Sequence, residues 1–80
     1  MKYIVYVIES REGYRYTGQT NDLERRIEEH NSGLSHSTKH GKNWKVIYTE
    51  EKSSRSEAMK LEKWLKTGVG REWLERLLGG

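Results

Sequence analysis

Two charged side chains of opposite sign fall where apolar residues would be expected. Leu23 and Ile27 start an apolar helical stripe, and Arg26 and His30 complete its i, i+3, i+4, i+7 set. Further on, Ala58, Leu61 and Leu65 form a second stripe, with Glu62 in the middle of it. A charge turned toward a core is costly unless it is paired. Two arrangements satisfy that condition. One is a buried Arg26–Glu62 salt bridge that ties two helices together, a device that adds little stability once desolvation is counted. The other is a cleft floor on which a cation, a carboxylate and the sheet tyrosines converge, the kind of set that marks a functional site. Spacing alone leaves both open.

The elements that must carry these groups can be read along the chain. Tyr3 to Ile8 is apolar without alternation and predicts a strand buried on both faces. Glu9 to Gly13 turns the chain, and Tyr14–Thr17 alternates as a second strand, hairpinned to the first and closed by Gly18. Lys45–Thr49 is the third strand. Asn21 with Glu24 forms a capping box that starts the first helix, and Gly33 stops it. Ser54 and Glu57 repeat the start signal for a second helix that ends at Thr67-Gly68, and Gly70 to Leu78 forms a third. The expected fold class is α+β, sandwich-like: a small three-stranded, mainly antiparallel sheet flanked by three or more helices.

Eighty residues hold one hydrophobic core, so residues 1–80 are expected to form a single domain. The absence of cysteine removes disulfides and thiolate zinc sites, and it suits a reducing cytoplasm. No apolar run is long enough for a membrane span. Lys and Arg outnumber Asp and Glu by 15 to 12, and the excess is unevenly spread. His30 to Thr49 contains no acid, yet it holds Lys39, Lys42, Lys45 and all three histidines. Such a segment is either a polyanion-facing surface or a solvated loop. With no phenylalanine in the chain, Trp64 and Trp73 are expected in the core. Trp44, among lysines, is as apt to stack on a base as to pack.

Taken together, these residues resemble the GIY-YIG nuclease superfamily. Ile4-Val5-Tyr6 and Tyr16-Thr17-Gly18 look like its paired tripeptides at their usual separation. Asp22-Leu23-Glu24-Arg25-Arg26 with His30-Asn31-Ser32-Gly33 is similar to the helix bearing the family's arginine. Ser56-Glu57-Ala58 through Glu62 to Lys66 resembles the segment bearing its metal-binding glutamate. The likeness spans nearly the whole chain and is strongest to small single-domain bacterial members related to the UvrC nuclease module. It implies the GIY-YIG endonuclease fold and DNA hydrolysis with one divalent ion, Mg²⁺ or Mn²⁺, in DNA repair or processing. It also implies a site of Tyr6, Tyr16, Arg26 and His30, with Glu62 as metal ligand and a tyrosine, Tyr6 first, as general base. The chain departs from the pattern with Ile4 for glycine, Thr17 for isoleucine, and Gln19 where some relatives have lysine. His30 stands where other branches have tyrosine.

On this reading Lys39, Lys42 and Lys45 would track the DNA backbone, with Gln19 beside the cut. No second DNA-reading module is evident, so substrate choice would rest on DNA shape or a recruiting protein partner. The rival readings are a nucleic-acid-binding module without hydrolysis, a zinc site from His30, His36 and His40, and a plain protein-interaction domain. The histidine gaps match no strong zinc spacing.

Overall fold

The computed structural model describes residues 2–35, 38 and 40–79; His36 and Lys39 lie outside them. Three strands and three helices follow in the order β1 (Tyr3–Glu9), β2 (Arg15–Thr20), α1 (Leu23–Asn31), β3 (Lys45–Lys52), α2 (Arg55–Leu65) and α3 (Gly68–Leu77). The strands form one antiparallel sheet in the order β2-β1-β3.

The central strand explains the rest. Val5, Tyr6, Val7 and Ile8 are all buried, as the unbroken apolar run requires, and alternate residues serve two different cores. Val5 and Val7 pack with Ala58, Leu65 and Leu74 beneath α2 and α3. Tyr6 and Ile8 pack with Trp44, flanked by Tyr16 and by Leu23 and Ile27 of α1. Removing each such side chain from water contributes roughly 1.5–3 kcal/mol. The sheet is thus covered on both faces.

Gly18 does not close β2. It lies within the strand, opposite Tyr6, because pairing with β1 continues as far as Thr20 opposite Ile4. Likewise β3 runs past Thr49 to Lys52, still paired with β1. The acids of this extension sit on an edge strand and find cations, Glu50 with Lys52 at 2.8 Å and Glu51 with Lys2 at 3.2 Å.

The first helix starts one residue later than the capping box suggested. The Asp22 carboxylate accepts from the Arg25 N–H at 3.3 Å, and the Thr20 hydroxyl accepts from the Asp22 N–H at 3.1 Å, fixing the step from strand to helix. The end is as expected, with Gly33 at φ +80°. Ser54 caps α2 by accepting from the Glu57 N–H at 3.2 Å. Thr67 follows α2 and caps α3, so α3 begins at Gly68 rather than Gly70.

The tryptophans divide: Trp44, left open by its sequence, is buried, and Trp64 and Trp73 go against the expected core placement. Trp44 is only 3% exposed, and its Nε1–H donates to the Thr38 carbonyl at 3.1 Å. Trp64 and Trp73 remain 37% and 38% exposed, meeting edge to face at 5.5 Å. Among the described residues, no helix is long and apolar enough to cross a membrane.

Candidate active site

The two strand tyrosines reach the same place by register. Tyr6 lies opposite Gly18 and Ile8 opposite Tyr16, so Tyr6 and Tyr16 project from one face of the sheet. Their ring centroids are 6.2 Å apart. The last turn of α1 brings His30 over them, 5.8 Å from the Tyr6 ring and 5.0 Å from that of Tyr16. His30 Nε2 is 2.9 Å from the Tyr6 hydroxyl, and its Nδ1 is 2.7 Å from the Thr38 hydroxyl. Both groups of each pair are buried.

Arg26, one turn earlier on α1, donates to Glu29 Oε1 at 2.8 Å and sets its guanidinium beside both tyrosine hydroxyls. These contacts hold its guanidinium firmly charged, with Glu29 contributing most. With the Arg26 cation beside the Tyr6 oxygen, the Tyr6 proton is directed at His30 Nε2. That bonding pattern favours the neutral tautomer in which Nδ1–H donates to Thr38.

Burial opposes charge on both members of this pair. It pushes the Tyr6 phenol above its ordinary value, partly offset by the Arg26 guanidinium beside it. It also pushes the His30 imidazole below its ordinary range, with the Arg26 cation adding to the effect. At neutral pH the resting site therefore holds a neutral phenol and a neutral imidazole.

Glu62 comes from α2, on the other side of the sheet, yet its carboxylate acts through space on the Tyr6 hydroxyl. Its side chain is 22% exposed, and Oε2 accepts from Lys66 Nζ at 2.8 Å. The Arg26–Glu62 bridge is not formed; each group pairs along its own helix, where an i,i+3 or i,i+4 partner needs no chain rearrangement. Among the described residues, no group of three or more His, Cys, Asp and Glu is placed to hold a metal ion. A lone half-buried carboxylate suits a hard, hydrated cation that keeps several waters, and it does not suit a structural zinc site. His30 is further removed from a zinc role because both its ring nitrogens are engaged.

The expected DNA-contacting residues are not brought together. Gln19 pairs with Val5, on the face toward α2, and lines an open polar groove of about 450 Å³ with Tyr3, Thr20, Asn21, Arg26 and Arg55. Lys42 and Lys45 are exposed at the opposite end of β1, where Lys45 pairs with Glu9. Three contributors escaped the sequence reading. Thr38 orients His30, Glu29 holds Arg26, and Arg55 shares a groove with Arg26. The helical spacing of Arg26 and Glu29 could have flagged Glu29; no local pattern marks Thr38.

Comparison with known proteins gives the family and agrees with the fold. The profile of the GIY-YIG catalytic domain matches residues 2–73. A UPF0213 protein of Halobacterium salinarum is 44% identical over 59 residues, covering 72% of this chain and 77% of its own. One from Staphylococcus haemolyticus is 39% identical over 67 residues, covering 82% of each. The solution NMR structure of a UPF0213 protein from Bacillus halodurans superposes with a TM-score of 0.61 at 35% identity, over 100% of this chain and 88% of that one.

Proposed function

The chain belongs to the GIY-YIG family of nuclease domains, and from that premise we propose that it is a metal-dependent DNA endonuclease that hydrolyses phosphodiester bonds. The observation that carries this reading is the convergence of Tyr6, Tyr16, Arg26 and His30 around the Tyr6–His30 hydrogen bond, with Glu62 acting on the same hydroxyl.

Hydrolysis needs a base for the attacking water and positive charge at the phosphate. Tyr6 is the base. Its hydroxyl passes a proton to His30 Nε2, the Thr38 oxygen steadies the resulting imidazolium through Nδ1–H, and Arg26 donates to the phenolate. The phenolate then takes a proton from water as the water oxygen attacks phosphorus. Tyr16 positions the water or a phosphate oxygen. Arg26 turns part of its planar fork to the non-bridging oxygens, where charge builds in the transition state. Glu62 would hold Mg²⁺ or Mn²⁺, which when bound supplies Lewis-acid charge beside the scissile phosphate.

Lys42 and Lys45 would meet DNA at a distance from the cut, through salt-dependent contacts indifferent to sequence. Substrate choice would come from DNA shape or a recruiting partner, in cytoplasmic DNA repair or processing. One observation favours a second reading, a binding module with little hydrolysis. Arg26 and Glu62 are both engaged by neighbours, Glu29 and Lys66, in the free chain.

Supercoiled plasmid incubated with Mg²⁺ or Mn²⁺ tests the proposal. Nicking by wild type and not by Glu62→Ala is expected. Equal nicking by both would remove Glu62 as the metal ligand, and binding without nicking by either would leave the binding module.

A further inference from the structure

Among the described residues, several helical cations pair with an acid one turn away. Arg25 pairs with Glu29, Lys66 with Glu62 and Arg76 with Glu72. Helix α2 breaks this pattern. Arg55, Lys60 and Lys63 have no ion pair; within the helix no carboxylate lies one turn from Arg55 or Lys63, and Lys60 has only Glu57, three residues before it. The other acid of α2, Glu57, turns to the Ser53 hydroxyl.

Helical geometry places these cations relative to the site. Ala58, Leu61 and Leu65 face the sheet. Glu62 lies on one flank, and Arg55 sits on that same flank two turns earlier, about 10 Å away along the axis. Lys63 and Lys60 continue from the flank over the crest. Arg55, Ser56, Met59, Lys60 and Lys63 line a shallow groove of about 340 Å³. Arg55 also lines the 450 Å³ groove that contains Arg26. The two depressions therefore meet at Arg55.

We propose that duplex DNA leaves the reaction site across α2, its phosphates held by Arg55, Lys63 and Lys60. The proposal rests on the nuclease reading above and gives that site a direction. From Arg55 to Lys63 the helix advances about 12 Å, against a rise of about 3.4 Å per base pair, so the three cations span several consecutive phosphates. The arrangement is sequence-indifferent, since it offers ammonium and guanidinium groups and no constellation of amides for base edges.

The test compares two variants of equal charge change, K60E/K63E on the track and K2E/R76E off it, by fluorescence anisotropy with a short labelled duplex across a salt series. Thermal melts confirm that both stay folded. The track predicts that K60E/K63E binds roughly tenfold more weakly or worse and lowers the slope of log affinity against log salt by about 2, while K2E/R76E does neither. Equal weakening in both variants would overturn the track, leaving only an effect of net charge. Wild-type protein that fails to bind DNA would overturn the nuclease reading itself, and the track with it. As a second readout, Arg55→Ala is expected to raise KM for nicking and leave kcat unchanged; an unchanged KM would remove Arg55 from the track.

Discussion

Gly18 stands opposite Tyr6 in the β1–β2 ladder, and a Cβ at that position would lie 2.8 Å from the Tyr6 hydroxyl oxygen. The same Cβ would come within 3.0 Å of the Tyr16 ring. Tyr6 has no room to retreat, because its hydroxyl is bonded to His30 and its ring is buried. Gly18→Ala is therefore expected to cost about 1–3 kcal/mol of stability by overpacking and to reduce nicking sharply. Adding Tyr6→Phe should recover part of the stability in urea melts without restoring activity. A Gly18→Ala protein as stable and active as wild type would show that the tyrosine cluster tolerates displacement.

The two tyrosines should separate kinetically. Tyr6→Phe removes the proton that His30 receives and is expected to lower kcat by roughly 10²–10⁴. Tyr16→Phe, which loses only a positioning hydroxyl, should be milder. Since burial raises the Tyr6 value, wild-type kcat should keep climbing on the alkaline side of neutrality rather than level off. A larger defect in Tyr16→Phe would exchange the two roles.

His30 sets an acid limit on stability. Its folded pKa lies below the ordinary value, chiefly through burial. The unfolded chain therefore takes up a proton first as pH falls. The stability from a neutral His30 is complete above the unfolded value of about 6.5 and drains away as the pH falls from there through the lower folded value. The urea midpoint of wild type should drop between about pH 7.5 and pH 5, and less so in His30→Gln. An equal drop in both would place the acid sensitivity elsewhere.

Asn31 grips the Trp44 backbone at both its groups, accepting from N–H at 2.7 Å and donating to C=O at 3.2 Å. Asn31→Ala leaves partly buried backbone groups unpaired and should cost about 1–3 kcal/mol. Tryptophan fluorescence should shift to the red as Trp44 gains water. An unshifted spectrum would mean that packing alone seats the indole.

Periodicity made the inward face of α1 legible. Arg26 and His30 occupy stripe positions, and the structure turns both toward the sheet tyrosines. It could not name their partners, because Glu29 and Lys66 compete with a cross-helix bridge on energetic terms that spacing does not encode. The place of Trp44 stayed open for a related reason. Its burial depends on Asn31, Thr38 and Tyr6, which are distant in sequence or outside any regular element. Trp64 and Trp73 were placed in the core by residue type, but Ala58, Leu61 and Leu65 already fill the inner face of α2, and Leu74 fills that of α3. Gly18 looked like punctuation. Only the cross-strand register shows it as the space the Tyr6 hydroxyl occupies.

Because β1 serves two cores by alternation, its alignment carries functional information as well as stability. A slip of one residue would set Val5 and Val7 beside His30 and turn Tyr6 toward Ala58 and Leu65. Such a chain would keep a largely apolar interior but lose the proton donor from its reaction centre. The irregular step between Val7 and Ile8, where β3 skips Ile47 to place Val46 opposite Ile8, gives the pairing a landmark that a shifted strand would not match. The extra residue in β3 thus acts as a key against which the central strand must align, coupling correct folding to the presence of the reacting hydroxyl.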